Sequence, residues 1–269
     1  MRAGAYQFRV TGDPEVNFRR IRAGAEAAGK AGVRLLLFPE CAVTGYPPRS
    51  INAASDVDFE KVSRIHDRIQ ELAEKHQMYL VTGTMVKEKN QYCNCAMVFM
   101  PDGKRMIYRK RALWGWDREN FTEGHDAGIF SADSLKIGIR ICFEVRFPEY
   151  FRELYREQTN LNLILFYDEA DQEDPERYDL IRGHIRTRAV ENVCPVLTCN
   201  TCPPFQTAPT ALCDRSGKVL AEAEKGKEGL LVYDVENSPL NFGESGRKTV
   251  SDCLVYGEKR NTGLGELLE

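Results

Sequence analysis

The chain has 269 residues, 42% of them apolar and 29% charged, with a formal net charge of −3. That length holds one large α/β domain or two small ones around a sizeable core. The near-neutral balance, without a basic stripe, argues against a nucleic-acid surface, and no apolar run approaches the roughly 18 residues that span a bilayer.

Residues 3–10 alternate apolar and polar side chains, the pattern of a half-buried strand. Asp13-Pro14 then supply an N-cap and a first-turn proline, and Phe18, Ile21, Ala25 and Ala28 keep helical spacing as far as Gly32. Val33–Phe38 reads as a buried strand ending at Pro39-Glu40. A second helix is predicted over Asp58–Lys75, with Phe59, Val62, Ile65, Ile69 and Leu72 on one face. Strands follow near 78–86, 92–100 and 104–109, the last two joined by the turn Pro101-Asp102-Gly103. Residues 110–134 show no sustained period and are expected to be irregular.

Leu135–Ile141 alternates again and stops at Cys142. A helix opens at Phe147-Pro148-Glu149 and runs to about Gln158, Leu161–Tyr167 is another buried strand, and Pro175 begins a helix reaching about Val193. Strands near 195–200, 208–213, 218–223 and 229–235 close the series. Two β-α-β stretches with added antiparallel strands, and no linker rich in proline, glycine or serine, predict a single α/β domain whose helices cover a mixed sheet.

Nine cysteines, an odd number, accompany an N-terminus without an apolar leader, which predicts reduced thiols in the cytoplasm. Cys93-x-Cys95 and Cys199-x-x-Cys202 have no histidine pair or second Cys-x-x-Cys nearby, so no metal is expected. The four histidines lack a Gly-x-Ser-x-Gly partner, which argues against a serine hydrolase.

In open α/β sheets, ligands bind beyond the carboxyl ends of the strands. Glu40, Lys110 and Cys142 stand at or just past such predicted ends. A carboxylate, an ammonium and a thiol suffice for nucleophilic attack on an amide-like carbon. Proton transfer from a thiol of pKa about 8.5 to a glutamate of about 4.3 is uphill by roughly 4 units. Burial raises the acid and a neighbouring ammonium lowers the thiol, so both effects are expected to close the gap. Each residue also has an ordinary alternative. Glu40 would be a solvent-facing acid after a strand, Lys110 part of the solvated triplet Arg109-Lys110-Arg111, and Cys142 an inert core thiol.

The strings LLLFPECAVTGYPP, YRKRAL and IGIRICFEVRFPEYFREL, with the helix segment Arg186–Asn192 and the strand-end Asn200, occur in one order along the chain. Together they resemble the carbon–nitrogen hydrolase (nitrilase) superfamily over roughly residues 1–255, leaving 256–269 as a C-terminal tail. The resemblance implies an α-β-β-α sandwich, no metal or organic cofactor, and a Glu-Lys-Cys triad that cleaves non-peptide carbon–nitrogen bonds through a thioester, with release of ammonia. Carried over by residue, Glu40 is the general base, Lys110 the oxyanion clamp and Cys142 the nucleophile, with the Phe143 N–H completing the oxyanion site. The family's second glutamate falls on Glu119, with Asp117 as the competing alignment. The Pro-Gly usual after it is replaced by Glu123-Gly124, which puts the local loop geometry in question.

A second departure follows Leu161–Tyr167, where Asp168–Glu176 holds six acids in nine residues. Tyr167, Asp168, Glu169 and Asn200 are candidate substrate-pocket residues. One reading has the acids meet a cationic substrate end; the other makes them a solvated loop before a helix N-terminus, where acids suit the macrodipole. The segment CFEVRFPE looks more like the amidase and carbamoylase branches, which implies a small linear amide or N-carbamoyl substrate. Nitrile hydrolysis by the same triad and a non-catalytic ligand-binding relative are the alternatives. The resemblance also implies a homodimer or larger assembly, with Gly246–Tyr256 as an arm near subunit contacts, and no nucleic-acid or membrane partner.

Overall fold

The computed structural model describes residues 1–235 and 238–257. Its first half comprises β1 (Arg2–Gln7), α1 (Pro14–Lys30), β2 (Leu35–Leu37), α2 (Phe59–His76), β3 (Tyr79–Glu88), β4 (Gln91–Phe99) and β5 (Arg105–Arg109). Local chemistry explains the helix starts. The Asp13 side chain accepts the Glu15 N–H at 2.9 Å, with Pro14 in the first turn, and Asp58 accepts the Lys61 N–H at 2.9 Å. The second half holds α3 (Trp116–Asn120), β6 (Ile129–Ala132), β7 (Leu135–Ile141), α4 (Pro148–Arg156), β8 (Leu161–Phe166), α5 (Pro175–Glu191), β9 (Val196–Asn200), β10 (Ala211–Cys213), β11 (Val219–Glu222), β12 (Gly229–Asp234) and α6 (Phe242–Tyr256). The stretch expected to be irregular thus contains a one-turn helix and a four-residue strand, both too short to show a period.

The strands form two six-stranded mixed sheets, in the orders β12-β1-β2-β3-β4-β5 and β11-β10-β9-β8-β7-β6. The single mixed sheet expected from the periodicity is therefore two. In each sheet the central strands run parallel, β1–β2–β3 in one and β7–β8–β9 in the other, and antiparallel strands extend both edges. Alternation along the strands sorts the layers. Leu36 and Leu80 face α1 and α2 with Phe18, Ile21, Ile65 and Ile69. Leu35, Leu37 and Val81 meet Ile137, Ile139, Leu163 and Leu165 of the opposite sheet. Ile164 and Phe166 face α4 and α5 with Phe151, Leu154, Ile181 and Ile185. The result is the α-β-β-α sandwich. β1 is buried on both faces beyond Arg2, rather than half-buried, because helices cover one side and the second sheet the other.

Gly246–Tyr256 lies within α6, which is tied to its own chain: the Tyr155 hydroxyl donates to Asp252 Oδ1 at 2.6 Å. Residues 258–269 of the expected tail lie outside the described residues. Among the described residues no helix is long and apolar enough to cross a membrane.

Candidate active site

Four strand ends converge at one end of the sandwich. β2 leads through Phe38-Pro39 to Glu40, β5 ends one residue before Lys110, β7 one before Cys142, and β8 one before Tyr167. Glu40 and Lys110 are each 1% exposed. Glu40 Oε1 accepts from Lys110 Nζ at 2.8 Å and from Asn94 Nδ2 at 2.7 Å, and Oε2 accepts the Tyr167 N–H at 2.8 Å. Lys110 Nζ also lies 2.7 Å from Asp117 Oδ2, whose Oδ1 accepts the Tyr46 hydroxyl at 2.9 Å. One ammonium thus bridges two buried carboxylates.

Lys110, Asp117, Cys142 and Tyr167 line a cavity of about 230 Å³, together with Tyr46, Phe143 and three arginines, 49, 146 and 177. Exposed Trp114 and Trp116 belong to its wall. The sequence-predicted acid, ammonium and thiol are therefore brought together from segments far apart in the chain. Cys142 sits on a sharp turn with φ 46°, a left-handed conformation that costs a non-glycine residue on the order of 1–3 kcal/mol. The turn is held by the carboxylate of Glu144, which accepts the Ile141 N–H at 2.6 Å, the Arg111 N–H at 2.7 Å and the Tyr108 hydroxyl at 2.8 Å. One buried side chain therefore fastens the thiol-bearing turn to the segment carrying Lys110. Glu144, Tyr46 and Asn94 have no role in the sequence reading. A charged residue three positions past the strand end and two past Cys142, between Phe143 and Val145, was the available signal for Glu144.

Burial pushes the Glu40 carboxyl above its ordinary value, against the pull of Lys110. Burial also works against the Lys110 charge, but Glu40 and Asp117 outweigh it and hold the ammonium well above the usual lysine value. The Cys142 thiol moves upward, driven by burial and then by the negative charge of Glu40. Lys110 pulls the thiol down, as expected, but burial and the Glu40 charge outweigh that pull. The net displacement favours the protonated thiol.

Several expected positions change. Glu119 is exposed on α3, whereas Asp117, two residues earlier on the same turn, is buried against Lys110. The acid that contacts Lys110 is therefore Asp117 and not Glu119. The loop after it is still held by a glycine: the Gly124 N–H donates to the Lys110 carbonyl at 2.9 Å, and a Cβ there would stand 2.4 Å from Arg109 O. Asn200 does not line the cavity. It lies behind it, accepting the Asp168 N–H at 2.9 Å and donating to the Asp168 and Ala208 carbonyls.

The acidic run is largely matched within the fold. Asp168 pairs with Arg177 at 3.0 Å, Glu169 with Arg49 at 3.9 Å, Asp171 also with Arg49, and Glu173 with Lys225 at 2.8 Å. Asp174 caps α5 by accepting the Arg177 N–H. Asp168 and Glu169 do reach the cavity wall, but each arrives with an arginine. Arg146 differs: among the described residues no carboxylate lies within ion-pair distance of its guanidinium, which stands 5.7 Å from the Phe143 ring centre. All nine cysteines are free, and the described residues contain no group of three histidine, cysteine or acidic side chains able to hold a metal.

A sandwich of two mixed sheets between helices, with a thiol, an ammonium and two carboxylates meeting past the strand ends, defines an α-β-β-α hydrolase of the nitrilase type. The chain belongs to the carbon–nitrogen hydrolase family, whose model matches residues 2–239. It is 28% identical over 239 residues to a 2-oxoglutaramate amidase of Bacillus subtilis (strain 168), covering 86% of this chain and 88% of that one. It is 30% identical over 167 residues to a nitrilase of Pyrococcus abyssi, covering 58% and 62% of the two chains. The crystal structure of an amidase from Nesterenkonia sp. shares the fold, with a TM-score of 0.80 at 23% identity over 100% of this chain and 96% of the other.

Proposed function

We propose that the protein hydrolyses a small linear amide through Cys142, Glu40 and Lys110. The observation that carries this reading is the Lys110 ammonium held between Glu40 and Asp117 on the wall of the cavity that Cys142 also lines. Glu40 takes the thiol proton, and the thiolate attacks the amide carbon. The oxyanion that forms is met by Lys110 and the Phe143 N–H. The carbon–nitrogen bond then breaks as Glu40 returns the proton to nitrogen, releasing ammonia and leaving a thioester on Cys142. Water, deprotonated by Glu40, attacks the thioester and releases the carboxylic acid, and the proton goes back to sulfur. Asp117 keeps Lys110 charged and aimed throughout.

Arg146 favours a substrate that carries an anionic group at its far end, since a cavity-lining guanidinium without a carboxylate partner matches a carboxylate. The name of the Bacillus relative agrees, because 2-oxoglutaramate is an amide bearing a carboxylate. The cationic-substrate reading loses support, because the acids on the wall already have arginine partners. An N-carbamoyl acid fits the same charges, and nitrile hydrolysis is the alternative chemistry. We also infer a homo-oligomer, supported by apolar side chains exposed on α6, and a reducing compartment such as the cytoplasm, supported by the free thiols.

The test is ammonia release from a panel of carboxylate-bearing, neutral and amino-bearing amides, N-carbamoyl acids and nitriles, with iodoacetamide labelling read by mass spectrometry. Expected are turnover of carboxylate-bearing amides, labelling at Cys142 ahead of the other eight cysteines, and loss of turnover in Cys142→Ala. Full activity in Cys142→Ala would overturn the mechanism. Turnover of nitriles alone would move the assignment to the alternative.

A further inference from the structure

Building on the base and nucleophile proposed above, we infer that Asn94 is the positioning residue that selects Oε2 of Glu40 as the proton acceptor and keeps Lys110 in register with it. Asn94 lies in β4, 1% exposed. Its Nδ2 donates to Glu40 Oε1 at 2.7 Å, and its backbone carbonyl accepts the Lys110 N–H at 2.8 Å. The Cys41 thiol donates to its Oδ1 at 3.6 Å, which turns the amide so that the NH2 group faces Glu40. One side chain and its own backbone therefore grip both the acid and the lysine.

The consequence follows from counting lone pairs. A carboxylate oxygen offers two acceptor sites. On Oε1 both are taken, by Asn94 and Lys110. On Oε2, among the described residues, the Tyr167 N–H takes one and the other stays open. Tyr167, whose N–H holds Oε2, lines the cavity with Cys142, whereas Asn94, which holds Oε1, does not, so we assign the open site to the side from which the thiol proton arrives. Without the Asn94 donor, Oε1 would regain a free site and the carboxylate would lose one of its three anchors. The titratable groups facing Glu40 are Lys110, Asp117, Cys41, Tyr46 and Cys142. Among the described residues Asn94 is the neutral side chain that donates to Glu40, and its replacement by alanine changes no formal charge.

The experiment is the pH profile of iodoacetamide alkylation at Cys142 in the intact protein, compared with Asn94→Ala and Asn94→Asp, alongside kcat and KM on the amide found to turn over. The unsubstituted protein has an acidic limb set by protonation of Glu40. Asn94→Ala removes a donor that favours the carboxylate, so the limb moves up by about one pH unit. Asn94→Asp keeps the size of asparagine but sets two carboxyl groups in contact that must share a proton, and the limb moves further in the same direction. In both variants kcat falls by at least about tenfold while KM stays within about threefold. A limb that stays in place in both variants, or kinetics of Asn94→Asp matching the unsubstituted protein, overturns the inference alone. A flat profile in the unsubstituted protein overturns both this inference and the base–nucleophile reading beneath it.

Discussion

Two acids compete for Lys110 in the sequence and one wins in space. Glu119 and Asp117 are two residues apart on the short helix α3, so their side chains leave the helix on different sides. Only Asp117 turns inward, where it contacts Lys110 at 2.7 Å and is steadied by Tyr46. Spacing alone left both alignments open, because the loop between the lysine and the following Glu123-Gly124 has no period to fix its phase. The structural difference makes a paired prediction. Asp117→Asn should lower kcat by on the order of 10²-fold, since it frees one side of the clamp, while Glu119→Gln leaves kcat unchanged. The pH profile adds a sign. Burial holds the Glu40 carboxyl above its ordinary value, so the base is lost by protonation as pH falls through a point above about 4.3. The negative charge of Asp117 contributes to that upward displacement, so Asp117→Asn should also move the acidic limb of kcat/KM downward. Steady-state kinetics from pH 4 to 9 check all three statements, and a limb that moves upward would contradict the assigned coupling.

Elements with caps and long periods were legible in the sequence. α1 and α2 begin where Asp13-Pro14 and Asp58 predict, and β3 to β5 fall within a few residues of their expected bounds. Those that escaped did so for different reasons: α3 and β6 are too short to show a period, whereas α6 is long and capped by Asn241 but carries a weak apolar pattern. α3 has five residues and starts at Gly115 with no side-chain cap, and β6 has four residues. The acid, the ammonium and the thiol that meet at the cavity were legible through their strand ends, whereas the residues that hold them, Asn94, Tyr46 and Glu144, act through contacts between segments distant in the chain, which no local pattern encodes. Gly83 in β3 illustrates how such support is built. Its N–H donates to the Pro39 carbonyl at 3.0 Å, and a Cβ there would stand 2.3 Å from Cys41 N and 2.5 Å from Glu40 Cα. Gly83→Ala should therefore displace the turn that carries Glu40, costing about 1–3 kcal/mol of stability together with most of the activity. Gly183 in α5 has nothing within 4 Å of its Cβ position, so Gly183→Ala should instead be neutral or stabilising by up to about 1 kcal/mol. Urea denaturation and turnover measured on both variants decide the matter, and equal effects at the two glycines would refute the proposed contact.

The number of sheets is a property of the whole molecule, and the pattern along the strands does not contain it. A buried strand reads the same whether its second face meets a helix or another sheet. What separates the two sheets is pairing between remote segments: Arg2 lies opposite Asp234 in the β1–β12 pair, which closes the first sheet with a strand made more than 200 residues later. The assembly state sits at the same scale. α6 packs on α4 through Tyr155 yet leaves Val250 and Leu254, one turn apart, 43% and 75% exposed, and Phe242 outside as well. Apolar residues stacked along one helix and left open to water are stabilised when a second surface covers them. A second copy of the chain would supply such a surface, and a twofold arrangement would bury both α6 faces with one contact. Leu254→Glu places a charge in the middle of that contact without disturbing the interior, because the leucine touches little of its own chain. The unsubstituted protein should elute with the mass of a dimer or larger species by light scattering, and Leu254→Glu should shift it toward the monomer, more so at lower protein concentration. A monomeric unsubstituted protein, or an assembly indifferent to the charge, would show that α6 is not the face on which copies meet.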